Sequence, residues 1–382
     1  MKKTVLILVV FLLFSCQKKK TNPYIGNWYF DKVVDYDSTK THSSKQMLEI
    51  GYGSFYNFNI INDSVLDFKN GFFRYQMDTD FLKQDSTKKS GRYYLGTKTS
   101  YKIQNSKVLF FDKRDKKWDT IRIKKISQDT MIVFGKENGL FKLIRKKDDY
   151  FNDTNYDAIT VDRSPCFGNC PINSTYIDRN GNFYFKGYDH NTQNGNLFSK
   201  IASKRVREIF NKFDKIDFSS IHKNPIEMNV SDCQTNVITF FKNGRIVKSY
   251  ESYFECPIDL DVAFTNLSYV YQKVNVINDD KFLSKYYVRY YNFQNEKANY
   301  SLYPSEGFFL EVALRNGEKV SKNFNPKYKL NFSEVFEKSN IKTIVTDGRF
   351  YKVLKKDNTS FTIDIGYNFV DANPIIKTNR NY

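Results

Sequence analysis

Apolar and polar residues alternate along most of this chain in short runs, with the period of two that turns one face of a β-strand inward and leaves the other to water. Tyr101-Lys102-Ile103, Ile121-Arg122-Ile123 and Ala158-Ile159-Thr160-Val161-Asp162 are runs of this kind. Asn-Gly or Asp-Gly pairs punctuate them, beginning at Asn70, Asn138, Asn180, Asn194, Asn243, Asn316 and Asp347. Each such pair supplies the positive φ that a two-residue hairpin turn requires, so antiparallel sheet is expected to dominate. A helical period is clear over 199–213, where Ile201, Val206, Ile209, Phe210 and Phe213 share a face, and over 258–274 after Pro257. A third, shorter candidate covers 332–338. Strands are expected near the C-terminus at 308–314, 319–324, 342–345, 350–354 and 361–365, so the fold class reads as β-rich α+β.

Composition sharpens that picture. The 382 residues are 40% apolar and 17% aromatic, which excludes a wholly disordered chain. Phe 35 and Tyr 28 combined with a mean hydropathy of −0.59 favour many short, half-buried segments. Lys+Arg 60 against Asp+Glu 42 give a formal charge of +18. The lysines are spread along the chain and not massed on one helix, which argues against nucleic acid as a partner. The charge reads most simply as a solvated surface held close to an anionic membrane, with an anionic envelope lipid or glycan as the candidate partner.

Lys2 and Lys3 precede an apolar run over 5–14, too short for a bilayer core that takes about 20 residues. The segment 1–15 therefore reads as a signal peptide. Its end, Leu13-Phe14-Ser15-Cys16, resembles the bacterial lipoprotein box, with Phe14 larger than the residue usual at that place. The resemblance implies that Cys16 becomes the mature N-terminus and carries several acyl chains, enough for stable membrane anchoring. Residues 16–23 then form a polar, basic tether. In composition and layout the chain resembles Bacteroidota-type lipoproteins. No acidic stretch follows Cys16, which points to an outer-membrane lipoprotein facing the periplasm, with display on the cell surface as the alternative.

Residues 24–148 open with Gly26-Asn27-Trp28 and close on the basic strand that contains Arg145. This resembles the small lipocalin-like domains of lipoproteins. The resemblance implies an up-and-down antiparallel barrel in which Gly26, Trp28 and Arg145 close one end, the guanidinium packed over the indole. A barrel of this size either holds one small ligand or is filled by its own side chains.

Residues 151–276 contain Cys166-Phe167-Gly168-Asn169-Cys170-Pro171. Over some 120 residues this resembles a family of uncharacterised exported domains marked by Cys-Phe-Gly-x-Cys-Pro, built as α+β from two hairpins and two helices, with no activity attached. With Cys16 acylated, the other cysteines are Cys166, Cys170, Cys233 and Cys256, an even number in an exported chain, which favours two disulfides. Cys233 and Cys256 lie one diagonal step from facing across the Asn243-Gly244 turn. The expected pairs are therefore 166–170 and 233–256. A four-thiolate zinc site and a redox pair are the alternatives. Structural zinc usually takes a two-residue spacer and thiol oxidoreductases use Cys-x-x-Cys at a helix N-terminus, and neither spacing occurs here. No cofactor is expected.

Residues 277–382 form a β-rich C-terminal domain, a loose echo of the middle one. His42, His190 and His222 are isolated, and no nucleophile elbow or phosphate-cradling glycine loop is present. Asp178 and Asp232 flank the cysteine-bearing strands. The expected function is that of a non-catalytic binding or scaffolding module of the cell envelope. Two alternatives stand beside it: a hydrolase with a carboxylate-based cleft in the middle domain, where shifted pKa values would converge, and a carrier of a small ligand in the barrel.

Overall fold

The computed structural model describes residues 22–36, 54–76, 91–135, 139–147, 156–218, 232–253, 257–332 and 339–377. The segment 1–15, Cys16, Cys256 and most of the helix expected at 332–338 lie outside them. The chain divides into two compact units, Met1–Asn70 with Thr97–Asp148, and Gly71–Gly96 with Asp149–Tyr382.

In the first unit, strands β1 (Gly26–Asp35), β2 (Phe58–Ile60) and β3 (Val65–Phe68) come first. The chain then leaves for a hairpin of β4 (Phe73–Gln76) and β5 (Gly91–Tyr94), which belongs to the second unit. It returns as β6 (Lys98–Gln104), β7 (Lys107–Asp112), β8 (Lys117–Ile126), β9 (Thr130–Phe134) and β10 (Leu140–Lys146). The eight strands of the first unit close into an antiparallel barrel in the order β1-β10-β9-β8-β7-β6-β3-β2. Alternation decides what lies inside: Trp28, Phe58, Leu66, Val108, Met131 and Leu143 are fully buried and fill the interior with side chains.

The second unit is built on two seven-stranded sheets. The first has the order β16-β15-β11-β12-β13-β14-β17. Its strands are β11 (Ala158–Arg163), β12 (Ile172–Asp178), β13 (Asn182–Asp189), β14 (Gly195–Lys200), β15 (Asn236–Lys242), β16 (Arg245–Ser252) and β17 (Ile277–Asn278). One face, with Ile159, Val161, Ile177 and Phe183, packs against helices α1 (Ser203–Asp214) and α2 (Ile258–Ser268). Both helices coincide with the sequence periodicity, and α1 buries Val206, Ile209, Phe210 and Phe213 as that period requires. The hairpin β4–β5 joins this layer through Tyr94, whose ring lies 5.5 Å from that of Tyr269.

The second sheet runs β19-β18-β21-β22-β23-β24-β20. Its strands are β18 (Tyr291–Gln294), β19 (Asn299–Leu302), β20 (Glu318–Val320), β21 (Tyr328–Phe332), β22 (Ile341–Thr346), β23 (Phe350–Lys355) and β24 (Ser360–Asp364). Between β19 and β20 the chain forms helix α3 (Pro304–Asn316). This corrects the expectation of a strand at 308–314 and of a hairpin turn at Asn316-Gly317. Phe308, Phe309, Leu310, Val312 and Leu314 are all buried, so the run carries no amphipathic period to separate helix from strand. The helix signal sits at its start instead. Pro304 occupies the first turn, where a missing N–H costs nothing, and the Glu306 carboxylate accepts a hydrogen bond from the Tyr303 N–H at 3.1 Å. Gly317 has φ −65° and ends a helix, not a hairpin. The strand expected at 319–324 is only Glu318–Val320.

Helix α3 touches both sheets. Phe309 stacks on Phe241 of the first at 3.7 Å between centroids. Against the second, a Cβ on Gly307 would stand 2.0 Å from the Tyr291 ring, so only glycine admits the approach. The face of the first sheet turned to α3 is polar. Thr160 donates to the Ser305 carbonyl at 2.9 Å, Thr239 and Ser305 share a hydrogen bond at 2.6 Å, and Ser249 donates to Glu306 at 2.5 Å. At the centre Lys186 Nζ lies 2.6 Å from Glu311 Oε2, the side chains 1% and 2% exposed, and Tyr291 donates to the other carboxylate oxygen at 2.5 Å. Residues on both sides of position 277 belong to the second unit.

A buried pair broken on one side leaves a desolvated charge, which costs about 3–5 kcal/mol, whereas apolar replacement of the whole group is often neutral. Lys186→Met is therefore expected to lower the unfolding free energy of the second unit by about that amount in urea melts. Lys186→Met/Glu311→Leu/Tyr291→Phe should recover most of the loss. A single-variant cost under about 1 kcal/mol would contradict this role for the pair.

Candidate functional site

Asp162 ends the alternating run of β11 on the face turned toward α3, and it is 2% exposed. Its Oδ2 accepts from Ser174 Oγ at 2.5 Å and its Oδ1 from the Tyr287 hydroxyl at 3.3 Å. Ser174 also lies 3.2 Å from the Tyr188 hydroxyl, and the Tyr188 and Tyr287 rings meet edge to face at 5.1 Å. Burial pushes the Asp162 carboxyl up to about 7. The hydrogen bonds from Ser174 and Tyr287 and the nearby Lys186 charge restrain the rise. Burial, with the neighbouring carboxylates, holds Tyr188 and Tyr287 well above the ordinary phenol range, so both remain donors.

Beyond Asp162 the layer opens into a cleft of about 510 Å³, within the range of small-molecule sites. One wall is the loop after β11. Cys166 and Cys170 are joined there by a disulfide, with Gly168 between them at φ 140°. Gln234 ties this loop down by donating to the carbonyls of Ser164 at 2.7 Å and Pro171 at 2.9 Å, and Thr235 N–H donates to Ser164 Oγ at 2.8 Å. The opposite wall is Tyr287, Arg289 and Tyr290, with Tyr303 and Pro304 at the head of α3. Asp232, Cys233, Glu251 and Tyr253 also line the cleft, with Val237 and Leu302 as apolar members. Phe167, at 87% exposed, stands at the mouth. Asp162, Asp232 and Glu251 line the cleft together with one guanidinium, that of Arg289, and burial raises the Glu251 carboxyl as it does that of Asp162.

The residues singled out in sequence fall in separate places. Gly26, Trp28 and Arg145 meet at one end of the barrel. The Arg145 guanidinium lies 4.6 Å from the Trp28 ring and donates to the Pro23 carbonyl at 2.7 Å, while Trp28 Nε1 donates to the Tyr24 carbonyl at 2.8 Å. A Cβ on Gly26 would stand 3.0 Å from Arg145 Nε. Cys233 carries a free thiol, and its expected partner Cys256 lies outside the described residues. The β15–β16 hairpin keeps the Lys242↔Arg245 register of its Asn-Gly turn only as far as a bulge at Phe240/Phe241. Asp178 serves the Asn180-Gly181 turn, accepting from Asn182 N–H at 2.9 Å. His190 lies 3.6 Å from Asp189, away from the cleft, and His42 and His222 are outside the described residues. Among the described residues no group of three or more His, Cys, Asp or Glu is placed to hold a metal ion.

Asp162, Tyr287 and Glu251 were not singled out in sequence. Asp162 reads there as the polar member of a half-exposed strand, and its partners lie 12 and 125 residues away.

A carboxyl whose folded pKa is raised keeps its proton in the native state while the unfolded chain has released it. Stability from this group is thus full below pH ~4 and falls as pH rises toward 7. Asp162→Asn removes that loss. The difference in unfolding free energy between Asp162→Asn and the parent chain should grow in the variant's favour from pH 4.5 to 8, by about 4 kcal/mol at most. A difference that stays constant with pH in urea melts would place the carboxyl in a solvated setting.

Residues 157–271, from the start of β11 to the turn of helix that follows α2, match the profile of a domain of unknown function (DUF6438). No curated protein and no solved structure matches the chain. The chain carries in its second unit a DUF6438 domain, whose polar sheet face is covered by a helix from beyond the matched residues.

Proposed function

We propose that this chain is a lipid-anchored protein of the cell envelope, held to the outer membrane at Cys16 and facing the periplasm, and that it acts by binding and not by catalysis. The anchor is supported by Lys2, Lys3, the ten-residue apolar run and the Leu-Phe-Ser-Cys16 ending. The binding role rests on one observation, the cleft of about 510 Å³ with Asp162 at its floor. Its ligand is a small organic cation. Asp232 supplies counter-charge, Asp162 and Glu251 add to it as they ionise, since burial raises both, and the tyrosines of the lining supply aromatic surface, the combination that suits an ammonium group. The barrel is a spacer and not a carrier, because its interior is occupied by its own side chains.

The test has two arms. Cys16→Ser should move the protein from the membrane to the soluble fraction, and a membrane-bound Cys16→Ser form would end the anchor claim. Tetramethylammonium and 1,4-diaminobutane, titrated calorimetrically, should bind the parent chain and lose affinity by about tenfold or more in Asp162→Asn and in Tyr287→Ala. The cleft reading fails if neither cation binds, or if both variants bind as the parent does.

A further inference from the structure

A different region of the second unit carries an independent inference. β20 lies at one edge of the second sheet and pairs with β24 through Val320↔Thr362. β21 lies four strand positions away and pairs with β22 through Lys329↔Val345. Every intervening pairing is antiparallel, so β20 and β21 run in the same direction. The chain must therefore travel back across the sheet between them. Such crossovers usually take a helix that covers the sheet. Here residues 321–327 do it alone. Four spacings of about 4.8 Å require about 19 Å, and the eight Cα–Cα steps from Val320 to Tyr328 reach about 26 Å when extended, so the segment is a strap with little slack.

The strap passes over the outer face, because Ile344, Val353 and Ile363 turn the inner face into the core around α3. Phe324 of the strap packs on Phe350 at 5.8 Å, and Lys327 N–H donates to the Thr346 carbonyl at 2.8 Å. Between strap and sheet lies a groove of about 770 Å³. Lys319, Lys322 and Lys352 line it together with hydroxyl and amide groups and the side chains of Phe324 and Phe361, and among the described residues no acidic one does. Neither Lys322 nor Lys352 makes an ion pair with a described residue. A second hollow of about 440 Å³ adjoins it at Pro326 and Val345 and adds Lys297, Lys327 and Lys329, with Glu296 as the one acid.

We propose that this groove binds a linear acidic polysaccharide of the uronic-acid kind, laid between the strap and the sheet. Ammonium groups distributed over two adjoining hollows suit a ligand that carries several carboxylates along its length and extends past the size of a single headgroup. Ser321, Asn323, Ser360 and Thr362 offer partners to ring hydroxyls, and the phenyl rings offer apolar faces to the sugar C–H surface. Long-range attraction by the net positive chain adds to encounter and is screened by salt.

The experiment uses the full chain in detergent with oligogalacturonate as the probe, and compares neutral dextran, glycerol 3-phosphate and two charge variants. Oligogalacturonate is expected to bind, to weaken as salt rises, and to lose about tenfold or more in affinity with Lys319→Gln/Lys322→Gln/Lys352→Gln. Equal charge removal on the barrel, by Lys107→Gln/Lys124→Gln/Lys125→Gln, should leave binding within about twofold. Absence of binding, or an equal loss in both triple variants, overturns the proposal. So does dextran binding as tightly as the charged oligomer. Tighter binding of glycerol 3-phosphate than of the oligomer would make the groove a lipid-headgroup site instead.

Discussion

The ion pair between Lys186 and Glu311 is the contact on which the second unit turns. Two charges removed from water are tolerable only with good geometry and with their remaining hydrogen-bonding capacity met. At 2.6 Å, and with Tyr291 donating to the second carboxylate oxygen, both conditions hold. The pair fixes where α3 can lie. A helix shifted by one residue would leave a lysine and a glutamate desolvated and apart, while apolar contacts such as Phe309 on Phe241 would merely be rearranged. Hydrophobic burial thus makes α3 stay and the charges decide its register, a division of labour that a uniformly apolar interface would not provide.

The cleft follows from that placement. The polar layer of Thr160, Thr239, Ser249 and Lys186 is closed where α3 covers it. It opens where α3 begins, at Tyr303 and Pro304, and there Asp162 stands at the boundary. The Cys166–Cys170 loop forms the wall that the helix does not reach. Its disulfide closes a loop of five residues, too short to restrict much of the unfolded chain. Its effect is local, holding the loop that Gln234 and Thr235 tie to β15. The same helix that makes the sheet's polar face internal therefore leaves one carboxyl, raised toward neutrality, at the base of an open, aromatic-lined site.

How much of this the sequence disclosed depended on how local the cause was. The Asn180-Gly181, Asn243-Gly244 and Asp347-Gly348 turns were readable because such pairs tolerate positive φ at little cost and nothing nearby competes: Gly181, Gly244 and Gly348 have φ of 85°, 72° and 104°. Helix α1 was readable because one face meets the core and the other meets water. Trp28 and Arg145 were readable through a short motif at the two ends of one domain. Helix α3 was not, because burial on all sides removes the period, and its start signal, Pro304 with Glu306, was outweighed by Asn316-Gly317. Asp162 and Lys186 were not, because alternation reports polarity and cannot say whether a polar face meets water or a helix 125 residues on. The β4–β5 hairpin falls by position within the span 24–148 expected for the barrel domain, whereas its partners include Gln272, 178 residues from Tyr94.

The central claim is that α3 and the sheet of the DUF6438 domain are one cooperative structure locked by a buried charge pair. Native-state hydrogen exchange on the full chain tests it most directly, because amides of one cooperative unit open with a common free energy. The account predicts that the protected amides of 308–316 share the opening free energy of those in Ala158–Arg163 and Ile172–Asp178. If the helix amides instead open at clearly lower free energy while the sheet remains protected, α3 is a peripheral element and the account is contradicted.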